Sequence, residues 1–210
     1  MANHPRTMRN PADGSNALVT WQGSKVRFPN AGTRNAESLS VTRPGDTRGE
    51  VQVPSVSVAV TLRLVRVDTP DARTLQEAQQ AELGELFGFR GFALADPPQF
   101  RSPRGAFLVA YDGDVAVACG GICPLGALPG TAEVKRMYTV PPYRRQGIGV
   151  RILRSLEVEA LALGYRAAAL ETGTVMHWAV ALYEGQGYSQ IPLYPPYLAS
   201  THSTCLGKAL

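Results

Sequence analysis

Arg144-Arg145-Gln146-Gly147-Ile148-Gly149 stands between a stretch with strand alternation and a run with helical periodicity, and its reading decides the fold around it. Two glycines opening a helix let a ligand approach the backbone, where the first helical N–H groups lack partners of their own. With the positive end of the helix dipole there and two arginines just upstream, the segment has the composition of an anion cradle, and phosphate is the expected anion. On the upstream side, Val134, Arg136, Tyr138 and Val140 alternate with Glu133, Lys135, Met137 and Thr139, which predicts a strand with two different faces over 131–140. On the downstream side, Ile148, Ile152, Leu153, Leu156, Ala160 and Leu163 recur at helical spacing, Arg151, Arg154, Ser155 and Glu157 fall outside that arc, and Gly164 supplies a left-handed stop.

Farther out, residues 58–67 are β-rich and read as a first strand, and Asp68-Thr69-Pro70-Asp71 starts a helix over 71–87. Residues 88–105 are aromatic and rich in Pro and Gly. Two strands over about 106–111 and 114–120 meet at Asp112-Gly113, a hairpin signal. Ala167-Ala168-Ala169-Leu170 reads as a short buried strand, about 176–185 as a short helix, and the tail through Cys205 and Leu206 has room for one or two more strands. Strands and helices in this order predict an α/β (α+β) fold built on a mixed sheet.

The 210 residues suit one domain with an appendage. Residues 1–57, rich in Pro, Gly, Ser, Asn and Arg, read as a mostly disordered extension, and 58–210 as the folded domain. The formal net charge is +4, but seven Lys and Arg face four Asp and Glu in 1–57, and fourteen face thirteen in 58–210. The folded part is therefore not basic, and no nucleic acid is expected. Cys119, Cys123 and Cys205 are odd in number and lack Cys-x-x-Cys spacing, which predicts reduced thiols in a cytoplasmic protein and no metal. The N-terminus lacks an apolar signal core, and the longest uncharged stretch is broken by Gly and Pro, so neither secretion nor membrane insertion is expected.

Spacing separates three phosphate cradles. A P-loop needs a lysine and a hydroxyl after its last glycine, and neither follows Gly149. A dinucleotide fingerprint finds Gly147 and Gly149, with Glu171 near the place of a ribose-binding acid, but Ile152 replaces the third glycine and Pro141-Pro142-Tyr143-Arg144-Arg145 intervenes after the strand. Such an extended cationic connection suits a diphosphate lying beside the strand.

In this respect the segment resembles the acyl-coenzyme A cradle of the GNAT N-acetyltransferase superfamily, whose signature Arg/Gln-x-x-Gly-x-Gly/Ala is matched by Arg144, Gly147 and Gly149. Residues 133–149 resemble that family's fourth strand and pyrophosphate loop. Leu170-Glu171-Thr172-Gly173 resembles its fifth strand, and Leu182-Tyr183-Glu184-Gly185-Gln186-Gly187-Tyr188 its Leu-Tyr-x-x-x-Gly-Phe/Tyr helix. The resemblance covers roughly 58–210 and gives Glu171 a plain strand-end place. It implies the GNAT fold, a central mixed, mostly antiparallel sheet flanked by helices, and direct acetyl transfer from acetyl-CoA to an amine without a metal.

The same resemblance implies the site. Backbone groups of Met137, Tyr138 and Thr139 would run beside the pantetheine arm, and N–H groups of Arg145, Gln146, Gly147, Ile148, Gly149 and Val150 would hold the pyrophosphate, with one of Arg144 and Arg145 a solvated charge. Tyr183 matches the general acid near the leaving sulfur; a tyrosine packed in the core is its plainer reading. Glu133 stands where relatives carry a base acting directly or through water, and a carboxylate paired with Lys135 or Arg136 is the plainer reading. His177 and Trp178 depart from the family pattern and bear on the acceptor. Tyr188, Tyr194 and Tyr197, with Phe87, Phe89 and Phe92, either wall an acceptor pocket or pack. The expected acceptor is a primary amine of a small molecule or amino acid. Protein or peptide acetylation and a non-catalytic acyl-CoA sensor stay open beside it, as does a homodimer through exposed sheet edges.

Overall fold

A computed structural model describes Arg6–Arg9, Asn16–Val19 and residues 59–88 and 97–210. Arg6–Arg9 (β1) and Asn16–Val19 (β2) pair antiparallel as a two-stranded sheet where the sequence predicts no strand. The rest of the expected 1–57 extension, with Phe89 and Phe92, lies outside the described residues.

The domain follows as β3 (Thr61–Leu64), α1 (Pro70–Phe87), a 3-10 turn at Pro97–Phe100, β4 (Ala106–Asp112), β5 (Val115–Pro124) and β6 (Thr131–Thr139). After a second 3-10 turn at Pro141–Tyr143 come α2 (Ile148–Ala162), β7 (Ala167–Gly173), α3 (His177–Glu184), β8 (Ser189–Ile191) and β9 (Ser203–Ala209). Seven strands form one sheet in the order β3-β4-β5-β6-β7-β9-β8, antiparallel throughout except for β6 beside β7. This is the predicted mixed, mostly antiparallel sheet.

Several boundaries differ from expectation, with β5 running on to Pro124 past the expected end at about 120. The first strand spans four residues instead of 58–67: Arg66 clasps Asp68 through two hydrogen bonds of 2.9 and 2.7 Å, and the Thr69 N–H bonds Arg66 O, so the chain turns before the strand pattern ends. The β4–β5 turn is Gly113-Asp114, one residue late, because Asp112 pairs with Val115.

The sheet carries α1 on one face and α2, with α3 beside it, on the other. Ile148, Ile152, Leu153, Leu156 and Ala160 of α2 pack on Leu108, Ala118, Ala132, Val134, Ala168 and Leu170. Each fully buried Ile or Leu contributes about 1.5–3 kcal/mol relative to exposure, so this stripe holds α2. On the opposite face Ala72 and Leu75 of α1 meet Phe100, Phe107, Val109, Cys119 and Cys123.

The irregularity that shapes the molecule lies in β6. Cys119 pairs with Tyr138 but Gly121 with Lys135, so β6 spends one residue more than β5 across this step. Arg136 takes the strain with φ 60°, a left-handed backbone uncommon for any residue with a bulky side chain. Opposite the bulge, Gly120 has no room for a side chain: a Cβ would run into Met137 Sδ and Ile152 Cγ2. Past the bulge, β6 stays with β5 but leaves β7. The parallel pairing covers only Thr131↔Ala167, Ala132↔Ala168 and Glu133↔Ala169, although the two strands continue to Thr139 and Gly173.

Gly120→Ala should lose about 1–3 kcal/mol through overpacking, or about 2–4 °C in Tm per kcal/mol for a chain of this size. Gly126→Ala, where a Cβ meets nothing within 4 Å, should stay within about 0.5 kcal/mol of the parent. Thermal denaturation of the two variants with equal Tm values would refute this account of the bulge.

Candidate active site

The strand divergence leads directly into the arginine and glycine turn. Gly147, the residue before α2, has φ 77°, and Arg145 has φ 59°, with Gln146 between them outside the left-handed region. Alternation of this kind turns successive N–H groups toward one side as an anion-binding nest. The first intrahelical bond runs from Arg151 N–H to Gly147 O, and among the described residues the N–H groups of Arg145 through Val150 find no backbone acceptor outside the helix. No side chain caps the helix either. Gly149 leaves space as well: a Cβ there would sit 3.4 Å from Leu182 Cδ1 and 3.9 Å from Thr139 Oγ1. The cradle is thus an exposed row of donors at a dipole's positive end, and the diphosphate of acetyl-CoA fits that donor set.

The two arginines separate. Arg144 is committed to the protein: its Nε donates to Thr139 O at 2.8 Å, its Nη2 pairs with Glu82 of α1, and its guanidinium lies 5.6 Å from the Tyr138 ring centre. Arg145 is exposed, with no partner among the described residues. Arg145 is therefore the cation open to a phosphate, and Arg144 braces the loop.

Helix α1 straps the diverging strands, which the sequence reading missed. Besides the Glu82–Arg144 pair, Gln79 Nε2 donates to Met137 O at 2.9 Å, and the Phe87 ring lies over Gly173. Val140 N–H bonds Val117 O of β5, so by alternation Tyr138 also turns its peptide groups to β5, while Met137 and Thr139 turn theirs toward the gap. Of the three residues expected beside a pantetheine arm, these two turn their peptide groups to the gap. The missed signal was Gln76 and Gln79 on a helix face that otherwise buries apolar residues.

Across the gap, on the α1 face of the sheet, lies an ionisable cluster. Glu133 is 8% exposed, shares its face with Cys123, and receives Lys135 Nζ at 2.8 Å and Tyr194 Oη at 3.3 Å, both on Oε1. Its Oε2 has no protein donor among the described residues. Burial works against the Lys135 ammonium, but the charge and hydrogen bond of Glu133, with smaller help from Tyr197 and Cys123, hold its pKa above the ordinary lysine value. Glu171, two residues past the last β6–β7 pair, accepts a hydrogen bond from Ser203 Oγ at 2.5 Å, and its pKa is raised chiefly by burial. Glu133 and Lys135 also line a cleft of about 670 Å³ with Gln99, Arg104, Cys123 and Leu125.

Tyr183 sits on α3 in the core, 7% exposed, its ring edge-on to Tyr188 at 5.7 Å. Burial alone pushes its phenol upward, so it stays protonated. Its neighbour Leu182 touches the cradle's Gly149, which brings α3 to the start of α2. His177 and Trp178 open the helix and are exposed. Tyr194 packs with Leu125, Ile191 and Cys205 and is edge-on to Tyr197 at 5.6 Å. Among the described residues no three His, Cys, Asp or Glu side chains gather in a way that would hold a metal ion, and no helix is long and apolar enough to cross a membrane.

Comparison with known proteins agrees with this geometry. The model of the acetyltransferase (GNAT) family matches residues 72–188. The chain is 37% identical over 128 residues to the IAA acetyltransferase of Azospirillum brasilense, covering 61% of this chain and 83% of that protein. It is 31% identical over 137 residues to the uncharacterized N-acetyltransferase YjgM of Escherichia coli, covering 61% and 81%. Among solved structures, the PaiA N-acetyltransferase of Thermoplasma acidophilum in complex with coenzyme A shares the fold, with TM-score 0.57 at 16% identity over 72% of this chain and 99% of that one.

The thiols yield a test of the packing. Burial pushes Cys119 up to about 12, against a small opposing pull from Arg136. It also pushes Cys123 to about 12, with Glu133 adding to the effect, and Cys205 to about 11. A thiol of pKa about 11 is ionised to roughly one part in a thousand at pH 8. Iodoacetamide at that pH should leave the native chain essentially unlabelled and modify all three cysteines in denaturant. Fast labelling of the native chain would contradict the packing of these strands.

Proposed function

This chain belongs to the acetyltransferase (GNAT) family, and on that premise we propose that it transfers the acetyl group of acetyl-CoA to a primary amine of a small molecule or amino acid. The observation that carries the donor half is the cradle, where among the described residues the N–H groups from Arg145 through Val150 have no acceptor outside the helix and the Arg145 guanidinium has no partner. Met137 and Thr139 would run along the pantetheine arm, with Tyr138 between them paired to Cys119 of β5. The acceptor half rests on the cleft of about 670 Å³, within the range of small-molecule sites. A second reading, an acyl-CoA-binding module without turnover, shares the cradle and differs in lacking a working acid and base.

Acetyl transfer needs a neutral amine, a polarised thioester carbonyl and a proton for the leaving sulfur. Tyr183 supplies that proton in this reading, since burial keeps the phenol protonated across the physiological range. Glu133, its Oε1 engaged by Lys135 and its Oε2 open, draws the acceptor's ammonium into the cleft. The three free thiols favour the cytoplasm, where acetyl-CoA is at hand.

Calorimetric titration should show binding of acetyl-CoA and none of NAD, and release of the CoA thiol across an amine panel should reveal turnover. Arg145→Gln should weaken acetyl-CoA binding about tenfold, the loss of ~1.4 kcal/mol from one charged contact. Tyr183→Phe should lower kcat by about a hundredfold or more while the acetyl-CoA Kd stays within about twofold. Binding of NAD in place of acetyl-CoA would end the cradle assignment, and unchanged turnover in Tyr183→Phe would end the role of the phenol.

A further inference from the structure

We propose that Glu171 takes the proton from the acceptor's ammonium, and that the site therefore selects amines that arrive protonated. The inference rests on the transferase reading above and concerns a residue whose sequence position suggests only the end of a strand. Glu133 pairs with Ala169 across the parallel β6–β7 contact, so Glu171 comes next on the same face of β7, level with Lys135 and just past the point where the strands part. Its side chain is half-buried beside Lys135, whose ammonium lines the cleft.

The two carboxylates differ in what already holds them. Glu133 Oε1 carries the Lys135 ammonium at 2.8 Å and the Tyr194 hydroxyl at 3.3 Å, so its charge is already met by a cation and a hydroxyl donor. Glu171 has one protein donor, the neutral Ser203 hydroxyl on Oε1, and no donor to Oε2 among the described residues. The groups facing it are Lys135 and Glu133 from β6, Tyr197 from the segment after β8, and Ser203 and Cys205 from β9. In this set one lysine serves two carboxylates. Counting only the charges that act on Glu171 directly, the set is short of one positive charge, which an incoming ammonium supplies; Arg136, which acts on Tyr197, lies outside it. Half-burial raises the Glu171 pKa, opposed by Ser203 and Lys135 and aided by Glu133, so this carboxylate holds a proton more readily than a solvated one.

The protons balance as follows. The ammonium R–NH3⁺ gives one proton to Glu171 Oε2, and the freed lone pair forms the N–C bond to the thioester carbonyl carbon. As the C–S bond breaks, the sulfur takes the Tyr183 hydroxyl proton, and the second proton on nitrogen restores that phenol. Glu171 releases its proton to solvent. The products are the amide, CoA thiol and one proton. An aryl amine or an alcohol, neutral on arrival, gains nothing from the missing charge and is the poorer acceptor.

The test measures kcat and kcat/KM against pH for the full chain and its Glu171→Gln, Glu171→Asp and Glu133→Gln variants, with alkyl and aryl amines. Wild type should lose activity as pH falls through the Glu171 pKa, because the protonated carboxyl accepts nothing. Glu171→Gln should lower kcat by about 10²–10⁴-fold and flatten that acid limb, with the acetyl-CoA Kd unchanged as the check on folding. Glu171→Asp should recover part of the rate and the limb. Glu133→Gln should keep the limb while raising the amine KM. A limb retained in Glu171→Gln, or lost in Glu133→Gln instead, overturns the proposal while leaving the transferase reading intact. A wild-type chain that binds acetyl-CoA yet turns over no amine overturns both.

Discussion

One extra residue in β6 governs the rest of the molecule. A strand paired on both edges cannot absorb an insertion without losing register on one of them, and here the antiparallel edge wins: β6 follows β5 to Thr139 and leaves β7 after Glu133. Antiparallel pairing is slightly more stable per residue, and the step is sealed by the Gly120 contact with Met137 and by the Cys119 thiol, which donates to Arg136 O at 3.3 Å. Burial keeps that thiol protonated and able to donate. The left-handed conformation at Arg136, of order 1–2 kcal/mol, is offset by this packing. It opens a gap in the middle of a sheet that is otherwise continuous.

What surrounds the gap divides by chemistry. On the side of α2, the cradle presents N–H dipoles and Arg145, while Glu82 neutralises Arg144 and makes it a brace. On the α1 face, Glu133 and Glu171 stand with Lys135, and Arg104 lines the same cleft as Glu133 and Lys135. One opening thus joins a row of backbone donors to a cluster of ionisable side chains. The Glu82–Arg144 pair is roughly two-fifths exposed on each side, so its direct contribution is small. Its value lies in tying α1 to the cradle, together with Gln79 on Met137 O.

Much of the fold was legible because burial imposes period on sequence. Ile148, Ile152, Leu156 and Ala160 could only be one face of a helix, and all are buried against the sheet. Asp112-Gly113 marked its hairpin to within one residue, since hairpin turns demand particular backbone angles. The first strand was overread, because residues 58–67 have strand propensity throughout and the Arg66–Asp68 clasp that ends pairing is a contact, with no pattern to announce it. The α1 strap was missed for a similar reason: Gln79 reads as an ordinary helix former until Met137 O is found beside it.

The sequence by itself determined the cradle, because a helix N-terminus with glycines and an arginine is a local object, built from neighbours in the chain whose backbone chemistry travels with them. It also named Glu133 and Tyr183 as residues of the right kind. Only the tertiary structure decided that Arg144 is spent on Glu82 while Arg145 has no partner among the described residues, that β6 and β7 part after Glu133, and that Glu171 stands beside Lys135 with Ser203 on one oxygen. Those outcomes depend on distances between segments far apart in the chain, and a carboxylate's readiness to hold a proton is set by the partners that folding brings to it.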